Sequence, residues 1–263
     1  MEHGIILYLS SITQWQCSIL VVILPTAVVL LLGYILRVKV GFERLSVNNE
    51  VAGFKFAVVG LIYGLLLTLA AISTWDKFSE AHNAVLAEAG AVNTMWHLSD
   101  GPDEPSRNIR DGLLNYAKLV VNDEWPVMAT ERESKKVSMA LAGLYTALND
   151  YVDNNSRPYA KSIQMMLSLK EITKARQTRV HLAGGIIPND LWNVIFFGAI
   201  LTIGFALFFA TENVLAQLLM TGILCIMVFM TISVVISFNH PFTGPVHVGS
   251  EVIEHLIKEF EHT

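Results

Sequence analysis

Residues 51–98 read VAGFKFAVVGLIYGLLLTLAAISTWDKFSEAHNAVLAEAGAVNTMWHL. Lys55 aside, the run to Trp75 is uncharged and apolar, whereas the remainder is charged and amphipathic. Nothing between the two halves breaks a helix: no Pro occurs, and the first Gly beyond the apolar run is Gly90. Phe78, Ala81, Val85, Ala89, Val92 and Trp96 recur at the spacing of one helix face. The pattern predicts a single helix, roughly 70 Å long at 1.5 Å per residue, that leaves a membrane without stopping. Along its apolar half, small residues recur at Gly53, Ala57, Gly60, Gly64, Thr68 and Ala71. A helix needs no such stripe merely to sit in lipid, so something comes close to it: another helix, another copy of the chain, or a column of water and ions.

Composition agrees with a membrane protein. Of 263 residues 53% are apolar and only 16% charged, against about 25% charged in soluble domains. Windows at residues 15–36, 56–75, 191–211 and 214–238 exceed the roughly 18 apolar residues that mark a spanning helix. The first has no preceding Lys or Arg and no small-residue cleavage site, unlike a secretory signal. Pro25 within it removes a backbone donor, which a kink or a borrowed partner must absorb. Cys17 and Cys225 fall inside expected spans and read as packing residues. A net charge of −5 excludes the basic stripe of a nucleic-acid binder.

Between the second and third spans the chain is polar and helical. SDGPDEPSRN ends the long helix and caps one over 104–123, which EWP closes because the residue before Pro126 is pushed out of helical geometry. ERESKKVSMALAGLYTALNDYV forms an amphipathic helix with Val137, Leu141, Leu144 and Leu148 on its apolar face. After DNNSRP a further helix over 159–182 carries Ile163, Met166, Leu167 and Ile172. The chain re-enters the membrane after GGIIPND, with Trp192 placed at the interface. No segment alternates with a period of two. The expected fold is all-α: a polytopic membrane protein with four transmembrane helices and a helical extramembrane domain between spans two and three. Its expected parts are residues 1–75, the first two spans; 76–188, the helical domain; 189–239, the transmembrane hairpin; and 240–263, a turn and an amphipathic helix.

Five pieces of the chain, NNEVAGFKFAVVGLIYGLLL, WDKFSEAHNAVLAEA, EWPVM, RQTRV with IIPNDLW, and FNHPFTG, stand in order over nearly its whole length. In this the sequence resembles the bestrophin-like family of bacterial integral membrane proteins, a domain of unknown function with remote kinship to the bestrophins. Bestrophins are pentameric anion channels in which the second span lines the pore and runs on into a cytosolic helical domain. The resemblance therefore implies a homo-oligomer, pentameric, conducting inorganic ions and chloride in particular, in the inner membrane of a bacterium as a multi-pass protein. Where this chain has Asn239, the family pattern carries an Asp, so a charge-based role is not carried over to it. The resemblance also places the helical domain in the cytoplasm. Arg37, Lys39, Arg44 and Lys55 around the first linker favour the opposite orientation, Lys77, Lys174, Arg176 and Arg179 nearly balance them, and the orientation stays open.

The candidate sites follow from the stripe. Gly60 and Gly64 make a small-xxx-small step suited to close helix packing; with Thr68 they also suit a pore-facing surface. With no charge between Lys55 and Asp76, a pore here would narrow at apolar groups, Leu65, Thr68, Leu69 and Ile72, and gate by dewetting. Lys55 would ring one mouth, or else serve as an end-anchor whose ammonium snorkels to water. Asp76, Glu80 and Glu88 would make acidic rings, or else form a solvated face. Glu88 lies between Val85 and Ala89, and a buried carboxylate needs a partner; Arg110, Arg176 and Arg179 are the candidates. Asn239, Pro241, Phe242 and Gly244 form a turn that stops the last span, and Pro245 follows. His82, His97, His240, His247 and His255 lack metal-pair spacing. No nucleophile triad, phosphate loop or cofactor motif is visible, so the expectation is a non-enzyme without cofactor or metal. Three functions remain: a passive ion channel, a cation channel using acidic rings, and a non-conducting scaffold or sensor.

Overall fold

The computed structural model describes residues 16, 19–46, 49–128, 130, 132–153, 159–244 and 246–262. Trp15, Cys17, most of the DNNSRP break and Pro245 lie outside them. Helix α1 is Ile19–Val40, α2 is Phe42–Ser46 and α3 is Asn49–Leu98. α4, Glu104–Leu119, is continued by a π-helical turn at Val120–Glu124 and a last turn at Trp125–Met128. α5 is Lys135–Val152, α6 Tyr159–Ala183, α7 Asn189–Ala206, α8 Val214–Asn239 and α9 Glu251–His262. Among the described residues there is no strand, and the fold is all-α. α1, α3, α7 and α8 are long and apolar enough to cross a membrane. The helix predicted over 51–98 is one unbroken element of 50 residues.

The chain divides into two compact units. The first holds the described residues up to Asp76 with Ile186–His240 and Gly244–Val246; the second holds Lys77–Gly185, Pro241–Thr243 and the described residues from His247 onward. α3 thus gives residues 49–76 to one and 77–98 to the other.

In the first unit, Tyr63, Leu67 and Ala70 of α3 share one core with Trp192, Ile195, Ala199 and Ile203 of α7 and with Cys225, Val228, Ile232 and Val235 of α8. Each set repeats at three- and four-residue steps, as a helix face requires. Trp192 is 2% exposed and stacks on Phe196 with ring centroids 5.6 Å apart. It is a core residue of this unit. Close approach is most severe at Gly198, where a Cβ would sit 2.4 Å from the Tyr63 ring. The Tyr63 hydroxyl is fixed by donating to the Ile195 carbonyl at 2.9 Å. Gly198→Ala should therefore cost about 1–3 kcal/mol as an overpacked core does, visible as a lower midpoint in thermal unfolding of the purified protein.

The second unit is built on 77–98 of α3. Val92, Met95 and Trp96 meet Ile109, Leu113 and Tyr116 of α4, Val137, Leu141, Leu144 and Leu148 of α5, and Met165, Leu169 and Ile172 of α6. Asp103 caps α4 by accepting from the Ser106 amide, and Ser134 caps α5 by accepting from the Val137 amide. α9 adds Ile253 and Phe260, the latter stacked on Trp96 at 4.0 Å. Of the four apolar residues read on α6, Ile172 is buried. Ile163, Met166 and Leu167 are 42%, 39% and 54% exposed, and the buried stripe is Met165, Leu169, Ile172, Arg176 and Arg179. Two arginines on that stripe hide its apolar periodicity.

Pro126 does not end α4 as expected. The π turn at Val120–Glu124 precedes it, and Trp125–Met128 stays helical. The same arrangement recurs in α1, where the π turn Ile19–Ile23 precedes Pro25. A wider turn shifts the hydrogen-bond register where the proline has no N–H to give.

Candidate functional site

Among the described residues, the face of α3 that carries the small-residue step is bare. Tyr63, Leu67, Ala70 and Thr74 are buried in the first unit, and on the side away from them Gly64, Leu65, Thr68, Leu69 and Ile72 are exposed. Gly60 is half-buried. A Cβ placed at Gly60 or Gly64 would meet no heavy atom of another element within 4 Å among the described residues. Among the described residues the step thus serves no helix contact. Thr68 bonds back to the Gly64 carbonyl of its own helix at 2.8 Å, so its methyl and hydroxyl both stay on the surface. Lys55 and Asp76 are exposed at the two ends of this stretch. The face so bounded is wholly uncharged, and it presents two glycines beside Leu65, Leu69 and Ile72.

The two glutamates further along α3 have different fates. Glu80 is ion-paired with Lys77 at 2.7 Å, each about half exposed. Glu88 is completely buried in the second unit. Arg179 of α6 grips it with two bonds, Nε to Oε2 at 2.7 Å and Nη2 to Oε1 at 2.9 Å. Tyr116 of α4 donates its hydroxyl to Oε1 at 2.7 Å. Of the three candidate arginines, Arg179 is the partner, while Arg110 pairs with Asp100 and Arg176 with Glu124.

Glu124 was not singled out from the sequence, yet it completes the cluster. It lies in the π turn, wholly buried. Arg176 Nη2 reaches its Oε1 at 2.6 Å, and Arg179 Nη2 reaches its Oε2 at 2.8 Å. The amide of Ser134 donates to Oε1 at 3.3 Å, and the Arg179 guanidinium lies 4.9 Å from the centre of the Trp125 ring. Two carboxylates and two guanidiniums balance in charge, and each acid has several donors, which a buried ion cluster requires. Burial pushes the Glu124 carboxyl up, but the Arg176 and Arg179 guanidiniums outweigh it and hold it below the usual carboxylate range. Burial and the Glu88 carboxylate together push the Tyr116 hydroxyl well above its ordinary value, so it stays a donor.

A group with a depressed folded-state pKa stabilises fully above its unfolded value, about 4.3 for Glu, and that stabilisation is lost as pH falls through the folded value. Thermal stability of the protein should therefore stay level from pH 7 to about 5 and decline below about 4. Glu124→Gln should remove part of that decline. Melting curves across this range test both.

The turn after α8 is made by its backbone. Asn239, 3% exposed, accepts at Oδ1 from the amides of Ile186 and Ile187 at 3.2 and 2.9 Å. An acceptor is what this position supplies, and a neutral amide serves. Pro241 accepts at its carbonyl from the Val248 amide at 2.7 Å, Phe242 meets Trp125 edge-on at 5.8 Å, and Gly244 adopts φ 85°, which favours glycine. His82, His97 and His255 are exposed and His240 is buried. Among the described residues no group of three or more His, Cys, Asp or Glu side chains is placed to hold a metal ion.

A family model described as a Bestrophin-like domain matches residues 22–253. The fold is similar to that of a bacterial bestrophin homologue from Klebsiella pneumoniae, solved by Zn-SAD phasing. The TM-score is 0.69 and the identity 14%, with 92% of this chain and 98% of that chain covered. A point mutant of a Klebsiella pneumoniae bestrophin homologue gives 0.71 at 13% identity, over 92% and 97% of the two chains. A further crystal structure, of a membrane protein solved as a point mutant, gives 0.69 at 12% identity over 98% and 96%. No curated protein matches the sequence.

Proposed function

Because the chain belongs to the Bestrophin-like domain family, we propose that it is a passive anion channel of the bacterial inner membrane, a pentamer of identical chains with α3 around the pore. The observation that carries this reading is the bare face of α3. Lipid gives no reason for Gly60, Gly64 and Thr68 on that face, and among the described residues no other element lies against the two glycines. Repeated around an axis, Gly60, Gly64 and Thr68 leave room for a water column, and Leu65, Leu69 and Ile72 form an apolar constriction of the kind that gates by dewetting. Lys55 contributes a positive ring at one mouth and Asp76 a negative ring at the other end of the uncharged stretch. On this reading residues 1–75 and 189–239 form the membrane part, 76–188 a helical domain, and 240–263 the turn and closing helix.

The cation reading drew on acidic rings from Glu80 and Glu88. It is the weaker one, since Glu88 is committed to Arg179 and Tyr116 and Lys77 answers the charge of Glu80. Flux from liposomes loaded with chloride or potassium salts tests the proposal. Chloride-selective flux above that of empty vesicles is expected. Potassium-selective flux would overturn the anion assignment, and no flux from vesicles holding the folded oligomer would favour a scaffold.

A further inference from the structure

Within the second unit, a recess of about 540 Å³ opens where the end of α3 meets the first turns of α4 and the last turn of α9. Its volume falls in the range of sites that take small molecules, about 300–1,000 Å³. Trp96, Pro102 and Phe260 give it apolar surface, and Arg107, Arg110 and Asp111 give it charge. The floor is fixed, because Trp96 and Phe260 stack on each other and the Arg110 guanidinium lies 5.8 Å from the centre of the Trp96 ring.

The fold does not use up the charged groups of this lining. Arg110 gives Nη2 to Asp100 Oδ1 at 2.7 Å and to the Gly101 carbonyl at 3.3 Å, while its Nε is buried and has no acceptor among the described residues. An unmet buried donor costs about 1–3 kcal/mol, so this guanidinium gains from an acceptor brought to it in the recess. Arg107 gives Nη2 to the Pro102 carbonyl at 2.6 Å, which leaves Nε and Nη1 to spare. Asp111, one helical turn beyond Arg107, is exposed and is ion-paired with neither arginine. The order along the helix, cation first and acid four residues later, is the less favourable one for such a pair.

These unmet charges are of both signs. With Asp100 counted beside Arg110, two guanidiniums stand against two carboxylates, and a simple anion such as phosphate would face Asp111 as well as the arginines. A zwitterion meets both signs at once. Its two charges must be close together, since side chains four apart on a helix start only about 5–6 Å from each other. We infer that the recess binds a free α-amino acid with an apolar side chain. The carboxylate sits at Arg107 and Arg110, the ammonium at Asp111, and the side chain against Trp96, Pro102 and Phe260. Every residue of the site belongs to the second unit, so the inference does not depend on whether the protein conducts.

Equilibrium dialysis of the detergent-solubilised full chain against tritiated L-phenylalanine tests this. Saturable binding at one per chain is expected, displaced by unlabelled L-phenylalanine and by L-leucine. 3-Phenylpropionate, which lacks the ammonium, and 2-phenylethylamine, which lacks the carboxylate, should each compete at least about tenfold more weakly, the cost of losing a hydrogen bond to a charged group. Arg107→Gln and Asp111→Asn change exposed side chains and should leave helicity and oligomer mass as they are, while each weakens L-phenylalanine binding about tenfold or more. Asp111→Asn should leave 3-phenylpropionate binding no weaker, a selective effect that general damage to the fold would not give. Absence of saturable L-phenylalanine binding in the wild type overturns the site, and so does equal binding by wild type and both variants. Competition by 3-phenylpropionate or inorganic phosphate as strong as that of L-phenylalanine overturns the zwitterion assignment.

Discussion

Arg179→Met should destabilise the protein by about 3–5 kcal/mol, the range measured when one partner of a buried ion cluster is removed. Arg179 is fully buried and bonds both Glu88 and Glu124. Its loss leaves Glu88 with Tyr116 alone and leaves Glu124 with Arg176. The cost comes from a carboxylate held away from water without a counter-charge, so it should shrink when that charge is also removed. In the double variant Arg179→Met, Glu88→Gln the Tyr116 hydroxyl still has an oxygen to donate to, and Glu124 still pairs with Arg176. The double variant should recover most of the lost stability. Arg179→Lys should fall between, because one ammonium cannot match the fork that spans two carboxylates. Chemical denaturation followed by circular dichroism gives all three values. A double variant no more stable than Arg179→Met would show that packing against Trp125 and Met128, and not charge, is what Arg179 supplies.

This cluster also marks where the sequence stops being legible. The helices are read from periodicity, which is local: Val137, Leu141, Leu144 and Leu148 announce α5, and the run from Phe78 to Trp96 announces the second half of α3. The ion cluster is assembled from residues 52 and 91 positions apart, and no local pattern joins Arg176 to Glu124 or Arg179 to Glu88. Arg176 and Arg179 were candidate partners of a buried Glu88, but no spacing chose between them and Arg110, and of the apolar residues expected on α6 only Ile172 lies on the buried stripe. Glu124 was passed over because EWP read as a helix end. The signal that could have found it is the proline two residues later, since a widened turn ahead of Pro126 was available as a reading, although Asn122 and Asp123 beside Glu124 make the run look solvated.

The small-residue stripe was legible as a feature and ambiguous as to its neighbour, and Gly64→Phe separates the possibilities. The chain itself has room for the ring, because a Cβ at Gly64 meets nothing within 4 Å among the described residues. This contrasts with Gly198, where the Tyr63 ring already fills the space. A Gly64→Phe protein should therefore fold, and exchanging Gly for a larger residue in a helix interior lowers the backbone entropy cost. If the bare face of α3 lines the pore, a ring from each copy occupies the axis beside Leu65 and Thr68. Chloride flux from liposomes should then fall more than tenfold while the oligomer keeps its size. If the face meets lipid, flux and assembly are both unchanged. If it packs against a neighbouring copy through the Gly60–Gly64 step, the oligomer dissociates before conductance can be read. Flux together with the mass of the solubilised oligomer distinguishes the three, and Ile72→Ala gives the opposite sign as a control: removing three side-chain carbons per copy from an apolar constriction makes it easier to wet, so leak through the intact oligomer should rise. A pore-lining face requires both results, loss with bulk at Gly64 and gain with truncation at Ile72, from protein of unchanged helicity.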